Sequence, residues 1–200
     1  MQMGFYFNAD LCIGCKACMM ACKDTHDLPP GVSLRRVSQM VKGFWAEDGD
    51  VDKPINISSY SISLSCNHCE KPACMAACPR NAIYKDSAGT VRIDHDVCVS
   101  CRICMKACPY GAISFNYRTG CPEKCEFCKD VDGMPACVAA CPMRCLEFLP
   151  VEVMEQMAQE DAQIVRLTDA ESTDPSVFIC QSRNQKNGEH AEIRGMKEEW

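Results

Sequence analysis

No apolar run in the chain approaches the roughly 18 residues that a membrane span needs. No basic stretch offers a footprint for nucleic-acid phosphates, and the formal net charge of −6 points the same way. The opening MQMGFYFNAD has neither a basic n-region nor an apolar h-region, so no secretory signal peptide is expected. Aromatic residues make up only 7% of the 200 positions. Setting cysteine aside, the apolar fraction falls from 47% to roughly 38%. Burial of ordinary side chains is thus a thin basis for a fold. A disulfide framework does not fill the gap, because the chain is long and its 19 cysteines are an odd number.

What the chain does have is a fourfold cysteine repeat. CIGCKACMMAC holds Cys12, Cys15, Cys18 and Cys22, and CNHCEKPACMAACP holds Cys66, Cys69, Cys74 and Cys78. CVSCRICMKACP holds Cys98, Cys101, Cys104 and Cys108, and CEFCKDVDGMPACVAACP holds Cys125, Cys128, Cys137 and Cys141. Each quartet opens with C-x2-C and closes with C-x3-C, and three run directly into Pro79, Pro109 or Pro142. Only the gap in the middle varies.

The third quartet matches the bacterial ferredoxin run C-x2-C-x2-C-x3-C-P, whose fourth cysteine ligates a second cluster. A C-x2-C loop brings two sulfurs to one small cluster and turns backbone N–H groups toward it. The x3 step starts a short helix that carries the last cysteine away, and proline ends the helical hydrogen bonding. Zinc is the main rival for a C-x2-C pair, but zinc ribbons do not call for C-x3-C-P endings. The repeat continues past the prolines as RNAI, YGAI and MRCL, which puts Cys145 in the slot of Ala82 and Ala112. Cys145 is therefore expected to be a small buried residue rather than a ligand.

CPEKCEFC, residues 121–128, resembles at first sight the cluster loop of radical SAM enzymes. That reading needs a large barrel after the motif, where only 72 residues follow Cys128, and it would orphan Cys137 and Cys141. Cys121 is therefore left unassigned, and no catalytic residue is expected. Of the histidines, only His68, between Cys66 and Cys69, is placed to hydrogen-bond near a sulfur. His26, His95 and His190 show no ligand spacing.

Between quartets two and three, AIY and TVRID flank DSAG and predict a hairpin. Residues 31–65 read as an insertion with strand-like SLRRVSQMV and YSISLS, packing on the core or on a partner, and Arg35 and Arg36 are expected on a solvated strand face. VEVMEQMAQE predicts a short helix, and the last twenty residues read as a polar, mobile or partner-dependent end.

The stretches GFYFNADLCIGCKACMMACKD, SLSCNHCEKPACMAACP, DHDVCVSCRICMKACPYGAI and KCEFC…PACVAACPMRCLEF together resemble the four-cluster electron-transfer subunit of dimethyl sulfoxide reductase and related molybdopterin oxidoreductases. The resemblance covers residues 1–150. The interval from Cys128 to Cys137 is shorter than the family pattern, and Cys121 and Cys145 are additions to it.

The resemblance implies an α+β fold of two interleaved bacterial-type 2[4Fe-4S] ferredoxin-like units. These are an inner unit at 66–116 and an outer one split between 1–30 and 117–150, with the insertion at 31–65 and a tail at 151–200. Topology and the resemblance together imply the ligand sets Cys12, Cys15, Cys18 with Cys141, and Cys125, Cys128, Cys137 with Cys22. The inner sets are Cys66, Cys69, Cys74 with Cys108, and Cys98, Cys101, Cys104 with Cys78. Some relatives carry another residue in the third quartet and hold a three-iron cluster there. Cys101 is present here, so four [4Fe-4S] clusters are implied.

The implied role is an electron relay between a quinone-linked membrane anchor, or another donor, and a molybdopterin catalytic subunit. A free polyferredoxin is the alternative. The resemblance further implies a membrane-associated complex, co-exported with its catalytic partner, or else a cytoplasmic one.

Overall fold

The structure, a computed structural model, describes residues 1–48, 51–131, 133–167 and 173–184. In chain order its elements are β1 (Met3–Asn8), α1 (Ala17–Thr25), β2 (Arg35–Asp48), β3 (Val51–Ser65), α2 (Ala73–Ala76), β4 (Ile83–Lys85), β5 (Val91–Ile93), α3 (Ile103–Ala107), β6 (Ser114–Asn116), β7 (Cys121–Glu123), α4 (Ala136–Ala139), β8 (Leu146–Pro150), α5 (Val151–Glu160), β9 (Ile164–Arg166) and β10 (Val177–Cys180). Most are very short, as expected of a chain whose apolar residues are sparse outside its cysteine motifs.

Four elements sit where the quartets close. Each C-x3-C step starts on or inside a helix: α1 in the first, α2 in the second, α3 in the third and α4 in the fourth. Pro72 and Pro135 stand immediately before α2 and α4, where a missing N–H and a fixed φ suit a helix start. Helix α1 packs on α4, and α2 packs on α3. The first quartet therefore lies against the fourth, and the second against the third. The predicted hairpin between quartets two and three is β4–β5, paired antiparallel from Ile83 opposite Ile93 to Lys85 opposite Val91.

Strand β1 is apolar on both faces, with Phe5 and Phe7 fully buried, and it occupies the interior of a four-stranded sheet in the order β8-β1-β10-β9. It runs antiparallel to β8 and parallel to β10. The segment read as a tail thus supplies an inner strand, with Val177, Phe178 and Ile179 buried. This placement escaped sequence reasoning because a parallel partner about 170 residues away leaves no local trace. The helix predicted at VEVMEQMAQE is α5, whose Met154 packs with Tyr6 and Phe178. The polar end, residues 185–200, lies outside the described residues.

The predicted insertion is a long hairpin, β2–β3, with a register shift between Lys42 and Phe44 at Gly43, whose φ is 110°. Its base is part of the core. Tyr60, Ile62 and Leu64 bury one face of β3 against Phe5, Phe7, Cys125 and Cys137, while Ser61, Ser63 and Ser65 bury the other. The expectation of a solvated face for Arg35 and Arg36 is overturned. Arg35 is 2% exposed, its guanidinium donating to Ser63 Oγ and Ser65 Oγ, both at 3.1 Å. Arg36 donates to the Gly111 carbonyl at 2.7 Å and so ties the hairpin to the inner pair of quartets. Charge alone favours solvent for an arginine, and here buried hydroxyls and carbonyls take the place of water.

Gly4 is where β1 meets the return of the chain. A Cβ there would lie 2.0 Å from the Ser176 carbonyl oxygen and 2.8 Å from Met154 Cε. Gly4→Ala is expected to push the 173–184 segment off β1 and to destabilise the protein by about 1–3 kcal/mol, the usual cost of overpacking. Limited proteolysis checks this: the variant should be cut near residues 167–176 well before the parent.

Candidate metal centres

The loops that carry the sulfurs share one backbone device. The residue before the second cysteine is left-handed in all four quartets: Gly14 (φ 69°), His68 (φ 42°), Ser100 (φ 55°) and Phe127 (φ 58°). Only one is glycine, so three positions hold a conformation that side chains disfavour. Alternating hand in successive residues turns backbone N–H groups into one concavity, a nest suited to anions and iron–sulfur sites. In three of the motifs the N–H groups of Gly14, His68 and Phe127 lie close enough to the sulfurs of Cys12, Cys66 and Cys125, the first cysteine of each, to favour their ionised form.

A second device follows the prolines. Asn81, Gly111 and Arg144 are all left-handed, and each donates its N–H to the carbonyl of the cysteine three residues earlier, at 3.2 Å every time. The sequence parallel of RNAI, YGAI and MRCL is thus the same turn built three times. It aims the next N–H at the sulfur, as Ala82 N does to Cys78 Sγ at 3.3 Å.

These loops surround three small cavities. One is lined by Cys12, Cys15, Cys18 and Cys141, with Cys145 and Ser63 beside them. The second is lined by Cys66, Cys69, Cys74 and Cys108, with Asn67, Tyr110 and Thr173. The third is lined by Cys78, Cys98, Cys101 and Cys104, with Ile83 and Ile93. In each, three cysteines come from one quartet and the fourth from another. The remaining four, Cys22, Cys125, Cys128 and Cys137, are all buried and lie within electrostatic reach of one another.

The donor set suits iron–sulfur clusters. Among the described residues each cavity is lined by four quartet cysteines, the first also by Cys145, and by no carboxylate. Among the described residues no three His, Cys, Asp or Glu side chains converge on one ion-sized point. Zinc needs ligands at about 2.0–2.3 Å from a single centre, whereas a cubane offers its irons at separate corners to sulfurs around a wider space. Both polar atoms of the buried Asn67 amide lack a partner among the described residues, and Asn67 lines the cavity of Cys66, Cys69, Cys74 and Cys108. Cluster sulfurs there would accept from that amide. Burial pushes the thiols of Cys22, Cys69 and Cys74 up to about 12, so iron must displace protons from them on binding.

The residues left unassigned fall in distinct places. Cys121 is in β7, accepts a hydrogen bond from Ser100 Oγ at 3.4 Å and lines none of the three cavities. Cys180 is buried in β10 and hydrogen-bonded to Tyr6. Cys145 is buried, as expected of a small residue, but its sulfur is 3.4 Å from Cys141 Sγ and hydrogen-bonds that of Cys12, which lowers the Cys12 pKa. Its slot in the repeat pointed to this, since the equivalent Ala82 also sits against a quartet-closing sulfur.

His26, given no role on spacing, places Nε2 3.4 Å from Cys128 Sγ, and this contact raises its pKa. Among the described residues the His68 ring hydrogen-bonds no sulfur. Its Nδ1 accepts from Val91 N at 3.1 Å, and the ring stacks on Phe127 at 3.7 Å. Burial, with Lys124, Lys85 and Arg92 nearby, holds its pKa well below the usual range.

A family model described as a 4Fe-4S dicluster domain matches residues 57–150, and one for a 4Fe-4S binding domain matches residues 5–24. The protein is 42% identical over 188 residues to the B subunit of anaerobic dimethyl sulfoxide reductase from Escherichia coli (strain K12), covering 92% of this chain and 91% of that one. It belongs to the iron–sulfur electron-transfer B subunits of the dimethyl sulfoxide reductase family. The corresponding B subunit of anaerobic dimethyl sulfoxide reductase from Haemophilus influenzae (strain ATCC 51907 / DSM 11121 / KW20 / Rd) is 38% identical over 181 residues, 89% of this chain and 88% of that one. Thiosulfate reductase electron transfer subunit PhsB of Salmonella typhi is 36% identical over 143 residues, 68% of this chain and 70% of that one. As a dimethyl sulfoxide reductase family B subunit, the protein binds 4Fe-4S clusters through ferredoxin domains. No helix among the described residues is long and apolar enough to cross a membrane.

Gly14 tests the loop geometry directly. Its φ of 69° and the 2.6 Å from an added Cβ to Ser61 Oγ leave no room for a branched side chain. Gly14→Val is expected to lose iron from the Cys12–Cys15 loop alone, about four atoms per chain. Elemental analysis of the anaerobically purified variant measures it.

Proposed function

We propose that the sixteen quartet cysteines hold four [4Fe-4S] clusters, in the sets Cys12, Cys15, Cys18, Cys141; Cys22, Cys125, Cys128, Cys137; Cys66, Cys69, Cys74, Cys108; and Cys78, Cys98, Cys101, Cys104. The chain then relays electrons between a quinone-linked membrane anchor, or another donor, and a molybdopterin catalytic subunit. The division into an inner unit at 66–116 and an outer one at 1–30 and 117–150 belongs to the same proposal. The observation that carries it is the composition of the cavities: three cysteines from one quartet and one from its partner, three times over.

A fully thiolate-ligated cubane takes up and releases single electrons without an open iron for substrate. The protein's own contribution is to hold the sulfurs, supply N–H donors and control access. Cys15 and Cys101 are exposed, while the sets containing Cys22 and Cys66 have no exposed member. We therefore take the Cys15 and Cys101 sites as the two ends where electrons enter and leave. Family resemblance supports a membrane-associated complex at the extracytoplasmic face, co-exported with its catalytic partner, with a cytoplasmic complex as the alternative.

Complex purified anaerobically without disruption is expected to contain about sixteen irons for this chain, together with molybdenum or tungsten in a large subunit. Sixteen irons without a second metal would instead leave a free polyferredoxin. Cys121→Ala, Cys145→Ala and Cys180→Ala should each keep the full iron content. Cys74→Ser should lose or alter one cluster, seen by electron paramagnetic resonance. Iron removal with a chelator should unfold the chain, because the stripped sites leave crowded, protonated thiols. Far-ultraviolet circular dichroism follows that loss.

A further inference from the structure

Two cations are buried between the cysteine sets, and neither has a carboxylate within ion-pair distance among the described residues. Arg35 is 2% exposed and Lys124 is 4% exposed. The Arg35 guanidinium donates to Ser63 Oγ at 3.1 Å, and Ser63 Oγ is in turn 3.4 Å from Cys18 Sγ. With its oxygen accepting from arginine, the serine hydroxyl is free to donate to the sulfur. The same guanidinium lies within electrostatic reach of Cys137 and donates to Ser65 Oγ, and it lies 4.3 Å above the ring of Phe5. Arg35 therefore stands beside one ligand set and reaches its neighbour through one hydroxyl.

Lys124 repeats the arrangement one step further along. Its Nζ donates to the Cys125 carbonyl at 2.9 Å and to the carbonyl of Val91, which lines the cavity of Cys66, and it lies within electrostatic reach of the Cys66 sulfur. It stands between the set of Cys22, Cys125, Cys128 and Cys137 and the set of Cys66, Cys69, Cys74 and Cys108. Burying an unpaired cation is strongly unfavourable. Among the described residues the anions at hand are ligand thiolates, whose charge persists once iron is bound.

We propose that Arg35 and Lys124 are the internal counter-ions of the relay, each shared by two neighbouring clusters and each raising the reduction potential of both. This rests on the cluster assignment above. A thiolate-ligated cubane is more negative after reduction than before, so a cation beside it favours the reduced form. The set of Cys22, Cys125, Cys128 and Cys137 is flanked by both cations, and that of Cys78, Cys98, Cys101 and Cys104 by neither. Arg35 and Lys124 are positioning and tuning residues, acting through the ligands they stand beside.

The test is a redox titration of the intact complex, followed by electron paramagnetic resonance, for Arg35→Met, Arg35→Lys, Lys124→Met, Lys124→Arg and Ser63→Ala. Iron content and the number of reducible clusters check the assignment independently of the potentials. Each methionine variant is expected to shift two clusters by tenfold or more in their oxidised-to-reduced ratio at fixed potential, about 59 mV downward for a one-electron couple. One cluster should respond to both variants and one to neither, while the charge-keeping variants restore the parent values. Ser63→Ala should shift a single cluster, the one holding Cys18.

Full iron with all four midpoints unmoved in the methionine variants would overturn the proposal. So would charge-keeping variants that shift as far as methionine, since only packing would then matter. Should Arg35→Met lose iron, Lys124→Met and Ser63→Ala carry the decision: two shifted clusters and one uphold it, and none overturns it.

Discussion

In the proposed ligand sets four sulfurs have to stand around each cluster at once, although they come from places as distant in the chain as Cys12 and Cys141. Nearly everything else in the molecule answers to that demand. Helix α1 packs on α4, and α2 on α3, which brings the first quartet against the fourth and the second against the third. The loops are wound left-handed at the same position in all four motifs so that N–H groups face the sulfur. Such backbone is disfavoured for His68, Ser100 and Phe127, and a surrounding structure that leaves no alternative must hold it. Iron–thiolate bonds supply much of that hold, which links folding to metal uptake.

Ordinary packing supports the clusters from one side. The sheet β8-β1-β10-β9 buries Phe5, Phe7, Val177 and Ile179 against Tyr60, Ile62 and Leu64 of the long hairpin. Phe5, Phe127 and Phe148 gather around the Cys125–Cys128 loop, Phe5 edge to face on Phe127 and both tilted against Phe148, with ring centroids 4.9–5.7 Å apart. Aromatic rings exclude water there without adding polar groups that would need partners. The serines of β3 present hydroxyls on the opposite face, toward Arg35 and Cys18, so one strand serves the core and a metal site at once.

Buried charge is the counterpart of this scheme. A protein with few apolar residues spends two fully buried positions on Arg35 and Lys124, although neither meets a carboxylate among the described residues. Burial opposes the charge of Arg35, but the thiols of Cys137, Cys125, Cys18 and Cys22, once ionised, raise its pKa instead. The same cysteines would repel one another without such a cation. Electrostatics and ligand geometry are therefore solved together, at the seams between cluster sites.

The ligand motifs were legible in the chain because their chemistry is local. C-x2-C, C-x3-C and the following proline act over a dozen residues, and the hairpin β4–β5 and helix α5 likewise follow from short patterns. The repeat also marked Cys145 as buried, through its alignment with Ala82 and Ala112. Tertiary structure alone decided what depends on distant neighbours. β10 lies parallel to β1 through backbone pairing that no sequence period announces. His26 reaches Cys128 across 102 residues. Arg35 and Lys124 leave solvent because thiolates from separate quartets converge on them, and convergence in space is not written in spacing along the chain.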